Sequence, residues 1–218
     1  MDELTLMQRI VVWVIPVIFA ITVHEVSHGW VAKKYGDNTA SSQGRLTLNP
    51  IKHIDLLGTI ILPGLLLITG TGFIFGWAKP VPVDPRNFKN PLHDMAIVAL
   101  AGPVSNLLMA LAWALITRLG VTIGAGAEAI SLPLIYMGIA GISINLVLAL
   151  INLLPIPPLD GSRILTGILP SYWAWQYNRL ERYGFIILLL LLYTNLLGAI
   201  LAYPMFVAQK VFFTIAGL

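Results

Sequence analysis

The stretch from Leu6 to Val31, LMQRIVVWVIPVIFAITVHEVSHGWV, decides the fold. From Ile10 to Val23 it carries no charged side chain, as a helix crossing roughly 30 Å of hydrocarbon requires. It then runs into His24-Glu25-Val26-Ser27-His28. Ionisable side chains at bilayer depth cost roughly 2.5 kcal/mol or more each, so three within five residues need a compensating ligand. Helix geometry indicates which one. Histidines at i and i+4 share a face, so two imidazoles can hold one Zn²⁺, and a glutamate beside the first can reach a water activated at the metal as general base. The stretch therefore reads as a membrane helix carrying a hydrolytic metal site.

Composition agrees. Of 218 residues 57% are hydrophobic and 11% charged, and the mean hydropathy is +0.84, which excludes an ordinary soluble domain and implies a multi-pass protein of the cell membrane. There is no cysteine, so disulfides and thiolate zinc sites are ruled out, and a metal must be held by His, Asp, Glu or Asn. Met1-Asp2-Glu3-Leu4 lacks a basic n-region and no small-residue cleavage site precedes the histidines, so the first helix is expected to be a retained span, not a signal peptide. The net charge of +3 comes without a basic patch interleaved with aromatics, and no nucleic-acid partner is expected. Residues 1–218 read as one domain, with no repeat or low-complexity linker.

Further apolar segments run over about Leu56–Trp77, Met95–Leu119, Leu132–Leu154 and Phe185–Phe213. Lys33, Lys34, Arg45 and Lys52 follow the first span and place its C-terminal end, with the histidines, near the cytoplasmic face. If Leu56–Trp77 crossed fully, the chain after Leu154 would emerge on the far side. If it dips in and returns, Lys79, Arg86, Lys89, Arg163, Arg179 and Arg182 join those four, so ten of the thirteen basic residues lie on one side. Pro63-Gly64 and Gly70-Thr71-Gly72 supply the breaks such a re-entrant segment needs. The stretches Asn38–Pro50 and Phe73–Val83 alternate and carry β-branched residues, which suggests short strands, the second confined to an edge by its prolines. The expectation is an all-α polytopic membrane protein of about four or five transmembrane helices, with a re-entrant segment and a small membrane-associated β-sheet or hairpin. Asn195, Gly198 and Pro204 are candidate breaks in the long last segment. Tyr172, Trp173 and Trp175 read as anchors along the cytoplasmic surface.

Catalytic zinc usually takes three protein ligands and an open position, so one is missing from HEVSH. Asp160 lies just past the fourth apolar segment in the run Asn152-Leu153-Leu154-Pro155-Ile156-Pro157-Pro158-Leu159-Asp160-Gly161, in which three prolines stiffen the chain beside the membrane. Asp-Gly is also an ordinary turn. His53 and Asp55 remain competitors, and each also reads as a loop anchor.

HEVSH in the first span, Gly102-Pro103-Val104-Ser105-Asn106 in the third segment and Asn152 through Gly161 together resemble the site-2 proteases, the intramembrane zinc metalloproteases. Gly44-Arg45-Leu46-Thr47-Leu48-Asn49-Pro50 and Gly76-Trp77-Ala78-Lys79-Pro80-Val81-Pro82-Val83 are similar to that family's small bacterial or archaeal members. The resemblance covers nearly the whole chain and leaves no room for a PDZ domain or a CBS pair. It implies that His24, His28 and Asp160 ligate one Zn²⁺, that Glu25 is the general base, and that Asn152 belongs to the active site. The substrate would be a transmembrane protein cleaved in or near its membrane segment. Asn152 and Asn106 are candidate hydrogen-bond donors to the substrate backbone or the developing oxyanion, or else interhelical glue. Gly76–Val83 offers an edge strand to an unwound substrate. A divalent-metal transporter and a catalytically inert scaffold for membrane proteins are the rival readings. Against the first stands the lack of a second histidine pair or inverted repeat, and against the second the intact Glu25.

Overall fold

A computed structural model describes residues 4–69, 76–124 and 126–218. The first span is α1 (Leu6–Lys34), started by a capping box in which the Thr5 hydroxyl accepts from the Gln8 N–H and the Gln8 side chain accepts from the Thr5 N–H; such a pair satisfies two of the orphan donors of a helix start. A single helical turn, α2 (Thr39–Ser42), and a 3-10 turn at Pro50–His53 follow. The next apolar segment is short and irregular: a π-helical turn over Leu56–Ile61 continues into α3 (Leu62–Thr69). Two long helices, α4 (Pro91–Ile123) and α5 (Glu128–Asn152), form the centre. After them come α6 (Asp160–Ile168), α7 (Ser171–Asn178), α8 (Glu181–Tyr193) and α9 (Leu196–Ala216).

Among the described residues four helices are long and apolar enough to cross a membrane: α1, α4, α5 and α9. Between apolar helices in lipid there is little hydrophobic drive, so close backbone approach through small residues has to supply the packing. The α4–α5 seam is built that way. Gly138 lies against Thr117 and Gly141 against the Trp113 ring, where a Cβ would collide, and Ala110, Ala114, Ile142, Leu146 and Ala216 form a fully buried cluster joining α4, α5 and α9. The last segment breaks at Asn195, whose φ of 57° is left-handed, a conformation that Asn tolerates better than most residues. Pro204 sits inside α9. At 13 residues, α8 is about 20 Å long and too short to span.

The segment from Leu56 to Trp77 turns back. Trp77 N–H donates to the Gly58 carbonyl at 3.1 Å, Thr59 Oγ1 donates to the Trp77 carbonyl at 2.9 Å, and the Trp77 ring covers Gly58. Residue 77 is thus level with residue 58, so the two described ends of the segment lie together.

The expected β-sheet or hairpin is corrected: no strand is present among the described residues. Residues 73–75 of the second expected strand lie outside them. In the first stretch Thr39–Ser42 coils into a helical turn and Gly44 adopts φ +62°, which breaks any extended run. In the second, 76–83 forms neither helix nor strand. Pro80 and Pro82 offer no N–H, and the N–H groups of Trp77, Lys79 and Val81 go to the Gly58 carbonyl, the His53 carbonyl and the Glu25 carboxylate. Three acceptors from three different elements take the place of a ladder. The buried Arg45 guanidinium donates to the carbonyls of Lys79 and Pro80 at 3.0 and 3.2 Å. The edge expected to receive substrate is therefore occupied within the chain. At the far end of this strap the fully buried Asp37 accepts from the Asp84 N–H (2.8 Å), the Asn87 amide (2.7 Å) and Thr39. Desolvation works to raise the Asp37 carboxyl, and those hydrogen bonds hold it below the usual carboxylate range.

Candidate metal centre

His24 and His28 lie one turn apart on α1, facing α4, which runs antiparallel to it. Three α4 residues at spacing four meet them. His28 Nδ1 lies 2.8 Å from the Val98 carbonyl oxygen, and His24 Nδ1 lies 2.6 Å from Asn106 Oδ1. Between them, Gly102 leaves the room the rings occupy: a Cβ built there would sit 2.5 Å from Cε1 of His24 and 2.5 Å from Cε1 and Nε2 of His28. Ser27, on the same face, donates to Ser105 Oγ at 3.0 Å.

An oxygen acceptor facing each Nδ1 favours the tautomer protonated there, which would leave each Nε2 lone pair turned toward the other. Asp160 completes the group. It is the first residue of α6, and its neighbour Gly161 packs so closely on the carbonyls of Leu153 and Leu154 that a side chain there would collide. Farther along α6, Gly167 sits against Ala96 of α4. These two contacts fold the proline-rich loop back under α4 and bring the carboxylate to the histidines.

Asp160 Oδ2 is 3.2 Å from His24 Nε2 and 3.3 Å from His28 Nε2, and the two Nε2 atoms are 3.1 Å apart. Two metal bonds of about 2.0–2.1 Å at the tetrahedral angle separate ligand atoms by about 3.3–3.4 Å, close to all three edges. Oδ2 is buried with no hydrogen-bond donor. With the protons on Nδ1, three acceptors converge with no proton among them, a costly arrangement unless a cation sits between. The donor set of two imidazoles and one carboxylate suits zinc and leaves a fourth position open. Among the described residues this is the one group of three or more such side chains able to hold a metal.

Glu25 points toward the strap, where its Oε2 accepts the Val81 N–H at 2.8 Å; Val81 in turn packs on Gly29 of α1. The other predicted site residues separate. Asn106 is fully buried and touches His24. Asn152 donates to the Leu148 carbonyl of its own helix at 3.0 Å. His53 and Asp55 are not in the group: His53 Nε2 is 2.9 Å from the Thr47 carbonyl, and Asp55 caps the π-helical turn by accepting the Gly58 N–H at 2.7 Å, so both serve as loop anchors. Sequence reasoning missed what Gly102 and Val98 do. The spacing 98, 102, 106 opposite 24 and 28 was available, but only with the pairing of α1 and α4 already in hand.

Together these features define a multi-pass membrane protein with a buried His-His-Asp metal group and a glutamate beside it, the arrangement of a membrane-embedded metallohydrolase. Comparison with known proteins names the family. The profile of peptidase family M50 matches residues 120–194. YwhC of Bacillus subtilis, which bears a zinc metalloprotease name, is 45% identical over 90% of this chain and 86% of its own. Two further proteins with zinc metalloprotease names are Rip2 of Mycolicibacterium smegmatis, 32% identical over 83% of this chain and 66% of its own, and MJ0611 of Methanocaldococcus jannaschii, 34% identical over 69% and 66%. No solved structure matches. The chain belongs to peptidase family M50, and it is an intramembrane zinc protease of the site-2 type. Neither the transporter nor the scaffold reading is favoured.

Proposed function

We propose that this single domain hydrolyses peptide bonds in or near transmembrane segments of membrane proteins, with His24, His28 and Asp160 holding one catalytic Zn²⁺ at the cytoplasmic end of the bundle. The observation that carries the reading is the convergence of two imidazole Nε2 atoms and one carboxylate oxygen, 3.1–3.3 Å apart, on the helix that also carries Glu25. Bound there, zinc supplies Lewis-acid polarisation of a water and of the scissile carbonyl. Glu25 takes the proton of the attacking water and returns it to the leaving amine, so the peptide and one water give a carboxylic acid and an amine. The Val81 N–H holds one Glu25 oxygen and so limits the rotamers of the base. Asn152, at the start of the loop leading to Asp160, offers a hydrogen bond to the substrate backbone. Asn106 acts on His24 instead. The cytoplasmic assignment rests on the basic residues: the strap tied to Asp37 and Gly58 keeps Lys79, Arg86 and Lys89 at the same end as Lys33 and Lys34, and the positive-inside rule puts that end in the cytoplasm.

The test is zinc content and cleavage of a single-span substrate in liposomes, for wild type and for His24→Ala, His28→Ala and Asp160→Ala. Each variant is expected to lose tightly held zinc and cleavage together. An Asp160→Ala protein that keeps both would remove the third ligand from the account.

A further inference from the structure

His28 is oriented by a backbone carbonyl, which is always an acceptor. His24 is oriented by a side-chain amide, which presents an oxygen or an NH₂ depending on how it is turned. The two choices have opposite consequences. With Oδ1 facing the ring, His24 carries its proton on Nδ1 and its Nε2 lone pair is available to a metal. With NH₂ facing the ring, the proton moves to Nε2 and ligation through that atom is blocked. Something must therefore fix the direction of the Asn106 amide.

We propose that Asn145 of α5 is the positioning residue that, through the shorter of two bonds and together with the Ala20 carbonyl, sets that direction. Asn106 Nδ2 donates to Asn145 Oδ1 at 2.9 Å and to the Ala20 carbonyl at 3.2 Å. Asn145 Nδ2 donates to the Gly141 carbonyl at 2.9 Å. Both asparagines are fully shielded, at 0% exposure, so water offers neither a replacement partner. The Gly141 carbonyl can only accept, so the Asn145 NH₂ must face it and Oδ1 must face Asn106. The Asn106 NH₂ then turns to Asn145, and its Oδ1 to His24. Polarity thus runs one way through three helices, from the α5 backbone to the Nδ1 proton on α1. Groups bonded directly to a metal ligand, as Asn106 is to His24, are worth about 10–100-fold in metal affinity, which sets the upper end for a residue acting through Asn106. Asn145 makes its hydrogen bonds to Asn106 and Gly141 and none to the histidines or Asp160.

The inference rests on His24 being a ligand, and its test separates the two. In metal-free wild type, ¹⁵N NMR of the labelled histidines is expected to find His24 protonated on Nδ1. Asn145→Leu deletes the relay with the same branching at Cγ and is expected to mix the His24 tautomers, leave His28 unchanged, and weaken zinc by up to about 10–100-fold in chelator competition. Asn145→Asp, neutral in this buried place, keeps an acceptor toward Asn106 and a donor toward Gly141, and is expected to restore both readouts. Should wild-type His24 carry its proton on Nε2, or should Asn145→Leu match wild type in tautomer and zinc affinity, the relay is overturned. If Asn145→Leu fails to fold, Asn145→Ala makes the same comparison, and equality with wild type in both readouts overturns the relay. If wild-type protein binds no zinc, it is the ligand assignment that fails.

Discussion

Gly102→Ala puts one methyl group where the two imidazoles stand. The new Cβ would lie 2.5 Å from Cε1 of His24 and from Cε1 and Nε2 of His28, against an ordinary carbon contact of about 3.5–4.0 Å. Roughly 1 Å of relief is needed. α4 has little freedom to supply it, because Val98 and Asn106, one turn away on either side, are buried and bonded to the same two rings. The rings must move instead, and His28 Nε2 is one corner of a triangle whose edges are 3.1–3.3 Å. Metal sites tolerate about 0.2 Å in a bond. Displacing a ligand atom by several times that should exceed the 10–100-fold cost of losing an outer partner, so zinc affinity is expected to fall at least 100-fold, about 2.7 kcal/mol. The assay is zinc competition against a chromogenic chelator in detergent, with thermal unfolding followed alongside. Gly198→Ala is the control, since a Cβ there meets nothing within 4 Å, and it should bind zinc as wild type does. Were Gly102→Ala to hold zinc within threefold of wild type, the packing of α4 on the histidines would be wrongly described.

Other perturbations separate the remaining parts. Asn106→Leu is expected to weaken zinc about 10–100-fold, whereas Asn152→Leu, which disturbs only a bond to Leu148, should leave zinc binding unchanged and act on cleavage alone; equal zinc loss in both would contradict the division of roles. Arg45→Ala removes a buried cation from two strap carbonyls and, at about 1.5–3 kcal/mol for such bonds, should speed amide exchange over residues 76–83 without touching zinc content. The Asp37 anchor depends on pH with a definite sign. Its carboxyl is held low in the folded protein, so its contribution is complete above the unfolded value of about 3.9 and is lost as pH falls through the lower folded value. Intrinsic-rate-corrected exchange at Asp84 and Asn87 should stay protected down to about pH 4 and rise below it, and in Asp37→Ala it should be high throughout.

How much of this was legible in the sequence differs from part to part. HEVSH and its helix were fully so, because ionisable residues in an apolar run have few physical explanations. Counting crossings and basic residues favoured a return of Leu56–Trp77, and the bonds of Trp77 to Gly58 and Thr59 agree with it. The strands failed for a specific reason: a stretch of alternating side chains reads the same whether its N–H groups meet a neighbouring strand or, as for Trp77, Lys79 and Val81, scattered acceptors. The break in the last helix was narrowed to Asn195, Gly198 and Pro204, and only the fold selects the first. Asn106 and Asn152 looked alike because a carboxamide in a span carries no record of its partner. Asn145 drew no notice, since its importance comes entirely from where Asn106 turns.

The central claim is that Glu25 acts on a water at a metal held without its help. Purified wild type and Glu25→Gln, reconstituted with a single-span substrate and analysed for zinc by mass spectrometry, test it most directly. Glu25→Gln is expected to retain zinc at wild-type stoichiometry and lose cleavage by several orders of magnitude. Undiminished cleavage by Glu25→Gln, or zinc lost along with activity, would contradict it.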